Sequence, residues 1–261
     1  MFQVGLLWRR SVTTGNQRRS QSAATILLAS NRRILNSPGV LKWIKFIIAV
    51  LLLPVCAGAA MALWRVLCAC GGADTTWVPL LAGSACWLVI FLILPKPMWI
   101  YVFGHELTHA LWAWLFGGHL KKIKVSSSGG QVVVSKSNFL IALAPYFFPL
   151  YAVLIIAVFS FSRWFFHRED FLFWFHLLVG AAYAFHVTLT AHVLKTRQSD
   201  ITSQGWLFSV VIIFLGNAGV LLLGIPLLTS RLSVATALAW WLALRTVLKQ
   251  PFGSMSRAAK M

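Results

Sequence analysis

The sequence predicts an all-α polytopic membrane protein with about six transmembrane helices and one short β-hairpin. Three observations carry that expectation. Of its 261 residues, 59% are hydrophobic and only 11% are charged, with a mean hydropathy of +0.79. Apolar runs of about 18 to 25 residues recur along most of the chain, the length needed to cross about 30 Å of hydrocarbon. A single polar stretch with strand-like alternation interrupts them, and nothing remains from which to build a separate soluble domain. This length allows one domain, or at most two. We divide the chain into a basic N-terminal arm (1–40), a membrane-embedded domain (41–250) and a C-terminal tail (251–261).

The arm holds arginines and serines and no acidic residue. That composition fits a basic cytosolic tail of a bacterial inner-membrane protein, the reading we favour, or an organelle transit peptide. Within it, ATILLASNRRIL has the pattern of a short amphipathic helix lying on the membrane surface. Six apolar segments follow, at 46–67, 77–94, 98–117, 139–161, 171–194 and 203–228. The stretch SVATALAWWLALRTVL at 233–248 is short for a span and reads as a seventh segment or as an interfacial helix. Between the third and fourth segments, LKKIKVSSSGGQVVVSKSN alternates on either side of Ser-Gly-Gly, the pattern of a short β-hairpin.

A net charge of +18 raises nucleic acid as a partner. The basic residues, however, sit in the arm and in short loops between apolar runs, where anionic lipid headgroups meet them. The expected partner is therefore the lipid bilayer and not nucleic acid. Cys56, Cys68, Cys70 and Cys86 lack zinc-finger spacing and any disulfide pattern, and read as small packing residues. Orientation stays open. The arm and the Lys-free loop near Asp74 place the N-terminus in the cytosol by the positive-inside rule. Three crossings later, Lys121, Lys122, Lys124 and Lys136 would then face outward, so either one segment is re-entrant or the rule fails here.

The third segment contains FGHELTHALWAWLFGG at 103–118. Each polar side chain carried into a bilayer costs free energy, roughly 2.5 to 3.5 kcal/mol for a charge at mid-bilayer, so such a residue is by default a functional candidate. His105 and His109 are four residues apart, which places them about 40° apart around a helix, one turn from each other. One metal ion can accept a nitrogen from both. Glu106 flanks that face and can reach water at the metal as a general base. This is the H-E-x-x-H arrangement of zinc metallopeptidases. With 7 His and only 2 Glu in the chain, the pattern is expected by chance on the order of 0.001 times.

A catalytic zinc takes three protein ligands and one open position. The chain has five carboxylates, Asp74, Glu106, Glu169, Asp170 and Asp200. Asp74 sits in the loop after the first segment, and Glu169 and Asp170 lie in a charged loop with Arg163, His167 and Arg168. Asp200, at the start of the sixth segment, is the candidate third ligand, with a helix N-cap as its alternative role. His176, His186 and His192 fall at roughly 0°, 280° and 160° around the fifth segment, so they share no face. They read as buried hydrogen-bonding residues, with His186 or His192 as reserve ligands. His119 reads as interfacial. Pro145 and Pro149 break the fourth segment, either as an ordinary kink or as an opening towards the site. Asn217 reads as an interhelical hydrogen bond or as a support for the site.

With this motif on a membrane helix, a polar hairpin, a Pro-broken span and a later QSD, the chain resembles the site-2 protease family of intramembrane zinc metallopeptidases over about residues 98–228. The resemblance implies cleavage of peptide bonds in or near transmembrane segments of membrane-anchored proteins. It implies zinc on His105 and His109, Glu106 as catalytic base and Asp200 as the downstream aspartate ligand. Two other functions compete. Zinc transporters of the ZIP type carry a related motif, but with a Pro before the second His and a Glu after it, where this chain has Thr108 and Ala110. A non-catalytic membrane scaffold that keeps its metal for stability is the other.

Overall fold

The structure is a computed structural model, and it describes residues 38–72, 74–126, 129–166 and 171–243. The surface helix of the arm, the Glu169-Asp170 loop with His167 and Arg168, residues 244–248 of the last apolar stretch and the C-terminal tail lie outside the described residues. The chain divides into two compact units, Met1–Ile48 and Ala49–Met261. Of the first, the described residues are 38–48. The second contains everything that follows.

The elements in chain order are α1 (Pro38–Cys70), α2 (Trp77–Ile93), α3 (Met98–Leu115), β1 (Leu120–Ser126), β2 (Gly129–Val134) and α4 (Phe139–Leu143) with a 3-10 turn at Ala144–Tyr146. Then come α5 (Leu150–Phe166), α6 (Leu172–Val193), α7 (Ser199–Gln204), α8 (Trp206–Thr229) and α9 (Val234–Leu242). The fold is mostly helical, with a single antiparallel hairpin that pairs Ser126 with Gly129 and Leu120 with Val134. Large apolar side chains face outward, Leu92 at 79% exposure and Leu51 at 70% among them. That is the surface lipid requires and water penalises. Cys70 is buried as a packing residue, whereas Cys68 and Cys86 face outward.

Three helices, α1, α6 and α8, are long and apolar enough to cross a membrane, with a fourth candidate if α4 and α5, bent by 81° at their break, are taken as one span. The described residues do not confirm the six or seven spans expected from hydropathy. Pro145 and Pro149 remove backbone donors, so the fourth segment cannot continue as one rod. At 17 residues α2 is short, and α9 is a single 9-residue helix.

The third segment, α3, is not among the helices long and apolar enough by length and composition to cross a membrane. The first half of α3 packs on the last turns of α6, where Tyr101 and Val102 meet Leu189 and Val193. In its second half Trp112 packs on the broken fourth segment, edge-on to the Phe147 and Phe148 rings. The hairpin folds back along α3. Val125 sits among Phe91, Met98 and Val193, Lys136 donates to the Phe116 carbonyl, and Phe139 meets the Phe208 ring. The hairpin thus stands beside the 193–199 turn at the end of α6, with which it shares the walls of one cavity.

Opposite that end, Asp74 accepts the amides of Thr76 and Trp77 and pairs with Arg231 at 2.7 Å. The Trp77 amide, then burial acting the other way, then the Thr76 amide and Arg231 set its carboxyl, with the net result below the usual range. Between the ends, α2 and α6 touch backbone to backbone. A Cβ on Gly83 would overlap the Leu177 carbonyl, and one on Gly180 the Leu80 carbonyl. The Ser84 hydroxyl donates across the crossing to the Gly180 carbonyl at 3.0 Å. Small residues and a bridging hydroxyl are how helices hold together where lipid removes the hydrophobic drive.

Two measurements check this frame. Gly180→Val, which has only backbone to push against, should cost about 1–3 kcal/mol or more and lower the thermal midpoint in detergent. Gly219→Ala on α8, where the added carbon meets nothing within 4 Å, should stabilise the fold by about 0.5–1 kcal/mol and raise that midpoint. In a chain freed of its native cysteines, Lys136→Cys and Lys195→Cys should react with an impermeant maleimide from one side of the membrane and Thr75→Cys from the other. Labelling of the two former positions from opposite sides would restore α3 as a crossing helix.

Candidate metal centre

The motif lies on the buried side of α3, where Glu106 and His109 are each 7% exposed. The His105 and His109 rings stand one turn apart with centroids separated by 5.0 Å. His109 Nδ1 is 2.8 Å from the Ile141 carbonyl of α4. A carbonyl can only accept, so Nδ1 carries the hydrogen and the Nε2 lone pair is free for a ligand.

Asp200 reaches the pair from 91 residues down the chain. Its Oδ2 is 3.5 Å from Nε2 of His105 and 3.5 Å from Nε2 of His109. It does not cap its helix: Gln198 is the cap residue of α7, and the carboxylate turns inward. The reason is local. Gly205 breaks the sixth segment at φ 96°, a left-handed conformation that favours glycine. The residues before it form the separate short helix α7, which dips towards α3. Tyr146, at the end of the 3-10 turn, donates its hydroxyl to Asp200 Oδ2 at 3.1 Å. Burial works to raise the Asp200 carboxyl, but the hydrogen bonds from His105 and His109 outweigh it and hold the group well below the usual carboxylate range.

This donor set fits a metal. The three ligand atoms lie within 4.8 Å of one another. Ligands about 2.0–2.1 Å from a tetrahedral ion stand about 3.4 Å apart, and the two nitrogen–oxygen separations match that spacing. Among the described residues this is the one trio of His, Cys, Asp or Glu so grouped.

Glu106 sits beside the trio under strand β2. A Cβ on Gly130 would come within 2.6 Å of Glu106 Cγ and 2.7 Å of Oε1, so the strand passes over the carboxylate only because residue 130 is glycine. The Val132 amide is directed at the same carboxylate. A cavity of about 480 Å³ opens here, lined by Tyr101, His105, Glu106, His109, Gln131 and Asp200 among others. Its volume is that of an ordinary ligand site.

The remaining histidines stand apart from the trio. His119 is exposed. His192 lies edge-on to Phe91, and His176 is buried beside the Thr75 backbone. His186 is buried near His105 but outside the ligand group. Asn217 donates to the Tyr146 carbonyl at 3.2 Å, an interhelical bond that satisfies a carbonyl freed by the proline break.

Sequence reasoning missed Tyr146, Gly130 and the Ile141 carbonyl. The only signal for Tyr146 was a phenol beside Pro145 in an otherwise apolar span. Nothing local marked Ile141, whose side chain has no part in its role.

A family model described as peptidase M50B-like matches residues 78–214. The chain belongs to that family. The matched region runs from α2 into α8 and contains the motif, the hairpin, the broken span and Asp200. This is the site-2 protease family of membrane metallopeptidases, so the resemblance read from the sequence holds. No curated protein and no solved structure matches the chain.

For this M50B-like protein, metal analysis after purification in detergent should find about one zinc per chain. His105→Ala should remove it and Asp200→Ala should leave it easily stripped by chelator. Tyr146→Phe, which frees Asp200 of one hydrogen bond, should weaken binding by about tenfold.

Proposed function

We propose that the chain is an intramembrane zinc metalloendopeptidase that hydrolyses peptide bonds in or near transmembrane segments of other membrane proteins. The observation that supports this most is the approach of Asp200 Oδ2 to 3.5 Å from both motif histidines. His105, His109 and Asp200 would hold the ion and leave a fourth position open. A zinc ion bound there supplies Lewis acidity towards a carbonyl oxygen and towards water. Glu106 takes the proton of the attacking water and returns it to the departing amine, with its carboxylate kept in place by β2 above it. The substrate is a membrane-anchored protein whose chain enters the cavity beside β2.

The protein is multi-pass in a bilayer, and the favoured host is a bacterial inner membrane. We take α1, α2, α5 with its bent lead-in, α6 and α8 as the crossing helices, and α3 with the hairpin as a re-entrant element. The end with Lys121, Lys122, Lys124, Lys136, Lys195 and Arg197 then faces the cytosol by the positive-inside rule. A transport path needs ligands strung along its length, and the described residues group one such set, which favours a peptidase over a metal transporter.

Glu106→Gln should keep its zinc and cut a membrane-anchored reporter roughly 10²- to 10⁴-fold more slowly, while His105→Ala loses both. A Glu106→Gln variant that still cleaves at the native rate would sink the proposed role of the carboxylate.

A further inference from the structure

The two motif histidines are not held alike. His109 has the Ile141 carbonyl on its Nδ1. His105 Nδ1 is buried and has no hydrogen-bond partner within the protein, and the same is true of His186 Nε2 on α6. Such buried polar atoms are costly. These two residues line one small cavity, about 20 Å³, together with Tyr101, Gly104, Thr108 and Phe185. A single water needs about 10–15 Å³ and at least two polar partners.

We infer that His186 is a positioning residue for His105, linked to it by one buried water. The His105 Nδ1–H donates to that water, and the water donates to His186 Nε2. The Thr108 hydroxyl already donates to the Gly104 carbonyl at 2.7 Å, so it faces the same water as an acceptor. A metal-ligating histidine almost always gives its other N–H to a carboxylate, a carbonyl or a water. His109 uses the carbonyl, and His105 uses the water. The bridge also ties α6 to α3, so the helix that crosses α2 backbone to backbone fixes the angle of the first ligand. His186 is thereby assigned a role at the centre without being a ligand.

This inference rests on the reading of His105, His109 and Asp200 as a metal centre, and the test separates the two. Zinc affinity is measured by chelator competition on the full chain in detergent, and the visible spectrum is recorded after Co²⁺ loading. The variants are His186→Leu, His186→Gln and, as control, His105→Ala. His186→Leu should bind one ion with about 10- to 100-fold weaker affinity and a shifted Co²⁺ spectrum. His186→Gln, whose amide oxygen can still accept from the water, should return to within a few-fold of wild type in both readouts. If His186→Leu does not fold, His186→Phe, which refills the ring volume, is read in its place. Wild-type affinity and spectrum in the apolar variant would overturn the bridge while leaving the metal centre intact. Complete loss of metal in the folded apolar variant, equal to His105→Ala, would overturn it in favour of His186 as a direct ligand. No metal in the wild type would overturn the metal centre itself.

Discussion

An aspartate carboxylate enclosed by two imidazoles in an apolar bundle is the interaction on which the rest of the structure depends. Each of the three groups is expensive to place there alone. Together, Asp200 and the two histidines satisfy one another and leave room for a cation. Bringing Asp200 in requires a break between α7 and α8, which Gly205 provides. It requires a phenol to hold the carboxylate, which the end of the broken fourth span provides. The break exposes a carbonyl, and Asn217 of α8 closes it. Proline, tyrosine, asparagine and glycine at these positions are parts of one solution to a single electrostatic demand.

That demand can be met only on a frame that does not slide. Lipid gives little drive for one helix to bury itself against another, so the close crossing of α2 and α6 rests on Gly83, Gly180 and Ser84. From this crossing α6 carries Leu189 and Phe185 to Tyr101 of α3, while Ile141 of α4 meets His109 from another side. The Tyr151 hydroxyl bonds the Ile100 carbonyl of the same helix. The motif helix is thus held from several sides, by side-chain contacts to α6 and by hydrogen bonds that end on the Ile100 and Ile141 carbonyls.

Much of this was legible in the sequence, and the limits have physical causes. The bounds of α2, α3 and α6 and the presence of the hairpin follow from apolar runs and a Ser-Gly-Gly turn, signals local to each element. The histidine pair is visible because helical periodicity places residues i and i+4 on one face. Asp200 could be narrowed by elimination, since an acid-poor membrane chain leaves few carboxylates. The count of spans was not legible, because hydropathy reports the length of an apolar run and is blind to its direction. A helix lying across the bundle and one passing through it have the same composition. Gly130 and the Ile141 carbonyl were equally hidden, since one acts by having no side chain and the other acts through its backbone.

The hairpin and the polar cavity beside α3 also answer why so apolar a chain tolerates Glu106. The cost of a carboxylate depends on its depth and on the water it can reach. Glu106 is buried under β2, with the Val132 amide directed at its carboxylate. The cavity beside it includes Ser137, Thr196, Gln198 and Ser199 in its walls, polar groups that can carry water in. Hydrolysis consumes water and releases charged ends, so a reaction centre in a membrane must lie where both can pass. Polar walls of this kind lower the cost of a carboxylate by giving it water.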